Sequence, residues 1–146
     1  MTDELRKKAR IMLAYEEGVR KYPYRCTAGK LSIGIGRNLE AKPLSDRVID
    51  QMFDEDLLEA SISARKIFGE KFLESISDNQ RLAIINLIFN LGEAGFLTFQ
   101  RMISAMRGRR WLEAADELRD SKYYTQVTLR AERVIDMLTR SRFPYE

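Results

Sequence analysis

Residues 16–36, EEGVRKYPYRCTAGKLSIGIG, form the stretch that decides the fold. It leads from a predicted helix end through alternating aromatic and polar residues and a turn-like segment at 27–30 to an apolar, glycine-rich segment. This order predicts a β-hairpin. The stretch contains Cys26, the only cysteine of the chain. The remaining residues are predicted to be scaffold for it.

The second predicted strand, residues 31–36, has two different faces because side chains alternate along a strand. Leu31, Ile33 and Ile35 share the face that we expect to pack inward. Ser32 shares the opposite face with two glycines, and this bare face permits close approach of a ligand. The sequence GIGIGR lacks the GxGxxG pattern of a dinucleotide site, and no lysine follows it as in a phosphate-binding loop.

A helix that Asp3 can cap and that runs to about Glu16 is predicted before the hairpin, with Gly18 as its end signal. Its predicted apolar face consists of Leu5, Ala9, Met12 and Leu13. Glu17 then lies at or beside the helix C-terminus, where the helix dipole and partial burial would raise the pKa of its carboxyl. A raised pKa suits a general acid, and the alternative is an exposed terminal residue with no catalytic role.

A long amphipathic helix is predicted over about 46–68, and it would span roughly 34 Å. Such a helix can join two lobes or form one face of a bundle. Ser77 and Gln80 form a capping-box pattern before an apolar segment at 82–91. Because this segment is apolar nearly all round, it is predicted to be the buried centre of a helical lobe.

Glycines and polar residues divide the rest of the chain into shorter helices. Gly92 and Gly95 are predicted to break the apolar helix, and Thr98 is a possible cap for the next one. Helices are predicted over 99–106, 110–119 and 128–138, with Tyr123, Tyr124 and Gln126 in a connection.

These elements predict an α+β, helix-dominant fold. A small N-terminal hairpin lobe and a larger C-terminal helical lobe are expected to be joined by the long helix. The chain, residues 1–146, is predicted to be one domain. Its lobes are predicted at about 14–45 and at 1–13 plus 69–146, with the joining helix at about 46–68.

The chain has no histidine and one cysteine, and this excludes several kinds of site. Ser-His-Asp and Cys-His mechanisms lack their base, and zinc sites built from histidines or several cysteines are excluded. No calcium-loop pattern is present either, so neither a metal nor another cofactor is predicted. Acid–base chemistry then falls to carboxylates, the thiol, lysine or tyrosine.

Charge and targeting signals give weaker expectations. The net charge of +3 is too small to argue for nucleic acid, but residues 1–44 and 99–146 are basic, whereas residues 45–98 are acidic. Basic lobes suit an anionic polymer, and ordinary solubilising charge is the alternative. A lone cysteine predicts a reducing compartment, and neither a signal peptide nor a membrane span is predicted.

Glu17, Cys26 and Ser32 form a spaced motif within EEG…SIGIG. Cys26 follows Glu17 by nine residues, and Ser32 follows Cys26 by six. The segments IINLIFNLGEAG, RRWLEAA and SKYYTQVTLRAERV follow in order. In these features the chain resembles the phage-type lysozymes, the muramidase endolysins of tailed bacteriophages. Their motif is a Glu that closes the first helix, then an Asp or Cys, then a Thr, in an EG…TIGIG frame.

The resemblance implies hydrolysis of the β-1,4 bond between N-acetylmuramic acid and N-acetylglucosamine in peptidoglycan glycan strands. Glu17 would be the general acid, while Cys26 and Ser32 would position and activate the attacking water with inversion. The sugar contacts implied by the family are Phe89, Asn38, Asn86, Gln126 and Arg130. The resemblance also implies a monomer without cofactors, without nucleic-acid or stable membrane binding, held in the host cytoplasm until it reaches the cell wall.

Two of the three motif positions depart from the commoner family pattern. Cys26 replaces Asp, and a thiol is a poorer base than a carboxylate at neutral pH unless its pKa is lowered. Arg25 and Lys30 are expected to lower that pKa, whereas Glu17 would raise it. A thiolate is also a good nucleophile, so a covalent, retaining route is the second possibility. Ser32 replaces Thr and keeps the hydroxyl group.

Three other functions stay open on the sequence. A lytic transglycosylase would use Glu17 alone and release an anhydro sugar. A catalytically inactive relative would bind the cell wall, with Cys26 as a structural residue. A small basic helical protein could bind nucleic acid, although the chain lacks a recognition-helix pattern.

Overall fold

The computed structural model describes residues 1–145 as eight helices and one three-stranded sheet. In chain order the elements are α1 (Asp3–Glu17), β1 (Arg20–Arg25), β2 (Leu31–Gly34), β3 (Arg37–Asn38), α2 (Asp46–Phe68), α3 (Glu70–Glu74), α4 (Asp78–Leu97), α5 (Gln100–Arg107), α6 (Trp111–Arg119), α7 (Lys122–Gln126) and α8 (Thr128–Arg140). The predicted helix-dominant α+β class is confirmed.

The chain divides into two compact units, Met1–Gln51 and the chain from Met52 onward. The first contains α1, the sheet and the start of α2, and the second contains the remaining helices. Residues 1–13 belong to the first unit, whereas the predicted boundaries grouped them with the helical lobe.

Helix α1 begins and ends at local signals. The Thr2 hydroxyl, not Asp3, caps it by accepting a hydrogen bond from the Leu5 N–H at 3.3 Å. Gly18 follows its last residue with φ at 75° and donates its N–H to the Ala14 carbonyl at 3.0 Å. A glycine takes this left-handed conformation without a Cβ penalty, so the predicted helix end is confirmed. No residue of α1 is buried, so the predicted apolar face is not covered.

The three strands are antiparallel in the order β1-β2-β3. Ser32 lies on the central strand, opposite Tyr24 on one side and Asn38 on the other. The register shifts between Arg20 and Tyr24, and Pro23 lies in that irregular segment, where a missing N–H costs no ladder bond.

The prediction that the Ser32 face is bare is wrong. Ser32 is only 3% exposed and is the buried residue of β2, whereas Leu31 and Ile33 are half-buried. Ser32 has a cross-strand neighbour on each side. The alternation of side chains along one strand does not show which face of the sheet those neighbours cover.

The core of the second unit surrounds α4. Ser77 and Gln80 make the predicted capping box, and Ala83, Ile84 and Leu87 are fully buried. Burial of such aliphatic side chains stabilises the fold by about 1.5–3 kcal/mol each. The core continues through α5, α6 and α8, where Met102, Met106, Leu118, Val134 and Leu138 are buried.

The three predictions about Gly92, Gly95 and Thr98 differ in outcome. Gly92 has φ 72° and ψ 166° and interrupts α4 as predicted. Gly95 stays helical, so its predicted break is wrong. Thr98 does not cap α5, because its hydroxyl donates to the Gly95 carbonyl at 2.7 Å.

The predicted connection around Tyr123 is instead the short helix α7. Ser121 caps it by accepting a hydrogen bond from the Tyr124 N–H at 3.2 Å. A serine cap therefore starts a helix where the aromatic pair suggested none. Among residues 1–145, no single helix meets the length and hydropathy needed to cross a membrane, although α4 and α5 meet it together across a 112° bend.

Candidate active site

Glu17 is the last residue of α1, and its carboxylate lies against Gly36 in the turn between β2 and β3. A β-carbon at residue 36 would be 2.7 Å from Glu17 Oε2 and 2.9 Å from its Cδ. The contact therefore depends on glycine, which also has φ at 62°. Glu17 lies at the helix end as predicted, and it is exposed, so partial burial does not act on its carboxyl.

Cys26 starts the turn between β1 and β2. Its N–H donates to the Lys30 carbonyl at 2.9 Å, and its carbonyl accepts from the Gly29 N–H at 2.8 Å. Gly29 has φ at 75°, which closes the turn. These bonds fix the backbone that carries the half-buried thiol.

Backbone groups of this turn stabilise the thiolate. The N–H groups of Lys30 and then Ala28 lower the pKa of Cys26 below its ordinary value, against a smaller opposing effect of desolvation. The Ser32 hydroxyl also lowers the pKa, through a side-chain hydrogen bond with the thiol. Hydrogen bonds to the charged form favour that form, so the site supplies a thiolate more readily than a free cysteine does.

The predicted cause of that lowered pKa is wrong. The side-chain charges of Arg25 and Lys30 have no part in the shift, and Lys30 acts on the thiol only through its backbone N–H. Both cations pair instead with Glu40. The distances are 3.1 Å from Arg25 Nη1 and 3.4 Å from Lys30 Nζ to the carboxylate oxygens. Glu17 has no part in the shift either.

Ser32 connects the two turns of the sheet. Its hydroxyl donates to the Lys30 carbonyl at 3.2 Å, at the Cys26 end of β2. Gly36 lies four residues further along the chain, so the two Cα atoms are at most roughly 14 Å apart. The sheet therefore holds Cys26, Ser32 and the neighbour of the Glu17 carboxylate on one small element.

Asn38 is next to Ser32 on β3, but its side-chain oxygen is already engaged. It accepts hydrogen bonds from the Glu40 N–H at 2.9 Å and the Ala41 N–H at 3.2 Å. Asn38 thus shapes the loop after β3.

In the second unit, Asn86, Phe89 and Arg130 line one groove of about 280 Å³. Asn86 Oδ1 accepts a hydrogen bond from Arg130 Nε at 2.9 Å, and Asn86 Nδ2 donates to the Tyr145 hydroxyl at 3.2 Å. Phe89 is 44% exposed, and its ring centre is 6.5 Å from that of Phe53.

Gln126 is exposed at the end of α7 and does not line that groove. The structure thus brings together three of the five predicted sugar contacts. Asn38 lies in the other unit.

The family model for phage lysozymes matches residues 14–142 of this chain. The chain belongs to the phage lysozyme family. The match includes every predicted site residue of this phage lysozyme.

Proteins similar to this chain include examples from Dictyostelium discoideum and from Enterobacteria phage T4. The chain is 27% identical to probable T4-type lysozyme 1 of Dictyostelium discoideum in an alignment of 157 positions, gaps included, that covers 87% of this chain and 91% of the relative. It is 26% identical to probable T4-type lysozyme 2 of the same organism, over 86% of this chain and 90% of the relative. It is also 27% identical to the pre-baseplate central spike protein Gp5 of Enterobacteria phage T4, over 84% of this chain and 26% of the spike protein.

Family membership defines the general chemistry. As a member of this family, the chain is a glycosidase of the lysozyme type, and its substrate is the peptidoglycan of the cell wall. Among residues 1–145, no cluster of three or more His, Cys, Asp or Glu side chains is arranged to hold a metal ion.

Sequence reasoning missed two features near the predicted residues. Tyr145 and Phe143 line the groove beside Asn86, and Arg133 lies 5.5 Å from the centre of the Tyr145 ring. Phe143 and Tyr145 lie far from Asn86 in the sequence, so no local residue spacing could predict that they share a groove with it. The acidic residue Glu40 was also overlooked, although two basic residues in the preceding turn were a signal for it.

Proposed function

We propose that this lysozyme hydrolyses the β-1,4 bond between N-acetylmuramic acid and N-acetylglucosamine with Glu17 as general acid. Cys26 and Ser32 activate and position the attacking water. The observation that carries this proposal is that one small sheet holds Ser32 on its central strand, Cys26 in one turn and, in its last turn, the Gly36 against which the Glu17 carboxylate lies.

The reaction follows from the chemistry of these three groups. Glu17 gives its proton to the glycosidic oxygen as the bond from that oxygen to the anomeric carbon breaks. Water attacks the same carbon from the opposite face, and the Cys26 thiolate takes the proton that the water loses. Ser32 orients this water through its hydroxyl. Proton exchange with solvent restores the acid and the thiolate, and the product has inverted configuration.

The lowered pKa of Cys26 supports the use of a thiol in place of the commoner carboxylate, because it increases the thiolate fraction at neutral pH. The same property supports a covalent route as the second candidate. There, sulfur attacks the anomeric carbon and water later displaces it, with net retention.

We assign Phe89, Asn86 and Arg130 to binding of the sugar chain, together with Asn38 and Gln126. The exposed ring of Phe89 offers an apolar face to a sugar, and the amide and guanidinium groups beside it offer polar contacts. Asn38 would act through its amide nitrogen, because its side-chain oxygen already accepts two backbone hydrogen bonds.

The biological role that fits this chemistry is that of a phage endolysin that lyses its host. We propose that the protein acts as a monomer, stays in the host cytoplasm and reaches the cell wall after another phage protein opens the membrane. Addition of the protein to intact and to membrane-permeabilised cells tests this role. Lysis of permeabilised cells alone is expected, and lysis of intact cells would contradict the need for a second protein.

Mass spectrometry of the products from purified peptidoglycan tests the reaction class. A reducing muramic acid end is expected. An anhydro end would identify a lytic transglycosylase, and binding to the wall without any product would identify an inactive relative.

A further inference from the structure

Glu40 lies just after β3 and contacts three parts of the turn that holds Cys26. Its Oε1 is 3.1 Å from Arg25 Nη1 and 3.5 Å from the Leu31 N–H nitrogen, and its Oε2 is 3.4 Å from Lys30 Nζ. Arg25 Nη1 also donates to the Gly29 carbonyl at 3.2 Å. One carboxylate thereby ties the residue before Cys26 to the two residues that follow the turn.

The backbone that carries Glu40 is itself fixed to the sheet. Its N–H donates to Asn38 Oδ1 at 2.9 Å. The preceding N–H, that of Leu39, donates to the Leu31 carbonyl at 2.9 Å. Glu40 therefore lies on a segment that hydrogen bonds fix to the sheet.

Each contact of Glu40 alone is weak, because the side chains of Arg25, Lys30 and Glu40 are 65%, 55% and 43% exposed. The contacts act together, because one carboxylate, that of Glu40, binds three groups that all lie within residues 25–31. The turn contains Lys30 and Ala28, whose N–H groups lower the pKa of the thiol. Release of the turn would move those donors.

We propose that Glu40 is a positioning residue that holds the turn from Arg25 to Leu31 and thereby keeps the Cys26 thiol in place beside Ser32. Its importance for hydrolysis rests on the proposed function, but its effect on the thiol does not.

A purely electrostatic role of Glu40 and a positioning role predict opposite shifts in the pKa of Cys26 when Glu40 is removed. Loss of a nearby negative charge, with Arg25 and Lys30 left unpaired, would favour the thiolate and lower the pKa of Cys26. If the turn were no longer fixed, its N–H groups would stabilise the thiolate less, and the pKa of Cys26 would rise. The sign of the shift therefore separates a positioning residue from an ordinary surface ion pair.

The test is the pH dependence of Cys26 alkylation by iodoacetamide in the full chain, for the parent and for Glu40→Ala. We expect the pKa of the thiol to rise, and a rise of half a unit would slow alkylation at pH values below that pKa by about threefold. An unchanged or lowered pKa would overturn the proposal. Glu40→Gln keeps an acceptor oxygen and should give a smaller rise, so it provides a second variant if Glu40→Ala is poorly folded.

Glu113→Gln is the matched control, because Glu113 also forms an exposed ion pair, with Arg110 at 2.6 Å, on α6. It should leave the thiol pKa unchanged. Alkylation needs no substrate, so this result stands even if purified peptidoglycan is not cleaved. Failure of the proposed function and failure of the Glu40 proposal are therefore distinguishable.

Discussion

The Glu17 carboxylate packs against Gly36 so closely that a β-carbon at residue 36 would lie 2.7 Å from Oε2. This contact connects the end of α1 to the turn after β2 without a covalent or ionic link. It gives the glycine of the SIGIG segment a specific purpose, which is to leave space for the proposed general acid.

Gly36→Ala should therefore reduce hydrolysis more than stability. The new methyl group would displace a flexible carboxylate, while the left-handed backbone at φ 62° would cost about 1–2 kcal/mol. Gly69→Ala is the matched control, because Gly69 has φ at 82° and open space around its absent β-carbon. Peptidoglycan turnover and thermal unfolding of both variants should show similar destabilisation but loss of turnover only at Gly36. Equal turnover in the two variants would remove the contact from the mechanism.

Glu17→Gln should abolish hydrolysis and leave the fold intact. An amide cannot donate the proton that the leaving oxygen needs, and a positioned general acid contributes roughly 10²- to 10⁴-fold to the rate. The neighbouring exposed Glu16, changed to Gln, is the control and should retain activity. Substantial turnover by Glu17→Gln would show that another group protonates the leaving oxygen.

Substitutions at Cys26 separate its chemistry from its packing. Cys26→Ala should lose most activity, because the water then has no base, and Cys26→Asp should retain activity, because a carboxylate is the commoner group at this position. Initial rates on purified peptidoglycan measure both effects. If Cys26→Ala were as active as the parent, the thiol would have no catalytic role.

The pH dependence of the rate should show the lowered pKa of Cys26. The proposed active form is the thiolate, so activity should rise with pH through the pKa of this thiol, below the pH at which a free cysteine titrates. In Cys26→Asp the rising limb should move to still lower pH, because an Asp carboxyl has an ordinary pKa of about 3.9. Identical rising limbs in the two proteins would assign that limb to another group.

Glu132 should contribute stability that depends on pH. Its carboxylate accepts hydrogen bonds from Arg119 Nε at 3.2 Å and from the Tyr124 hydroxyl at 2.8 Å, and these lower its pKa. Because the folded pKa is depressed, this contribution is present above the ordinary pKa of about 4.3 and is lost as pH falls through the folded value.

Glu132→Gln should accordingly lower the free energy of unfolding by about 0.5–1 kcal/mol at pH 7, a value reduced by the exposure of the pair. Near pH 3 the difference from the parent should shrink. Glu74→Gln, at an exposed position that ends α3, should show no such pattern. A difference that is constant with pH would contradict the pKa assignment.

Local signals in the sequence predicted the helices well. The capping box at Ser77 and Gln80, the helix end at Gly18 and the interruption at Gly92 depend on backbone groups within a few residues, so spacing alone reveals them. The bounds of α2, Asp46–Phe68, also agree with the prediction.

Features that depend on lateral packing were predicted less well. The alternation in β2 defined two faces but not that Tyr24 and Asn38 would flank and bury Ser32. Arg25 and Lys30 were predicted to lower the pKa of the nearby thiol. Their actual partner, Glu40, lies 15 residues after Arg25, so local spacing did not reveal it. The hydrogen bond between Asn86 and Arg130 spans 44 residues and was not predicted, because the family resemblance named the two residues only as sugar contacts.

The most direct test of the central claim is proton NMR of the first products released from purified peptidoglycan, recorded before the anomers equilibrate. A water positioned by Cys26 and Ser32 inverts the anomeric carbon, so the α-anomer of the muramic acid end should appear first. First appearance of the β-anomer would contradict this account and would indicate a covalent intermediate on Cys26.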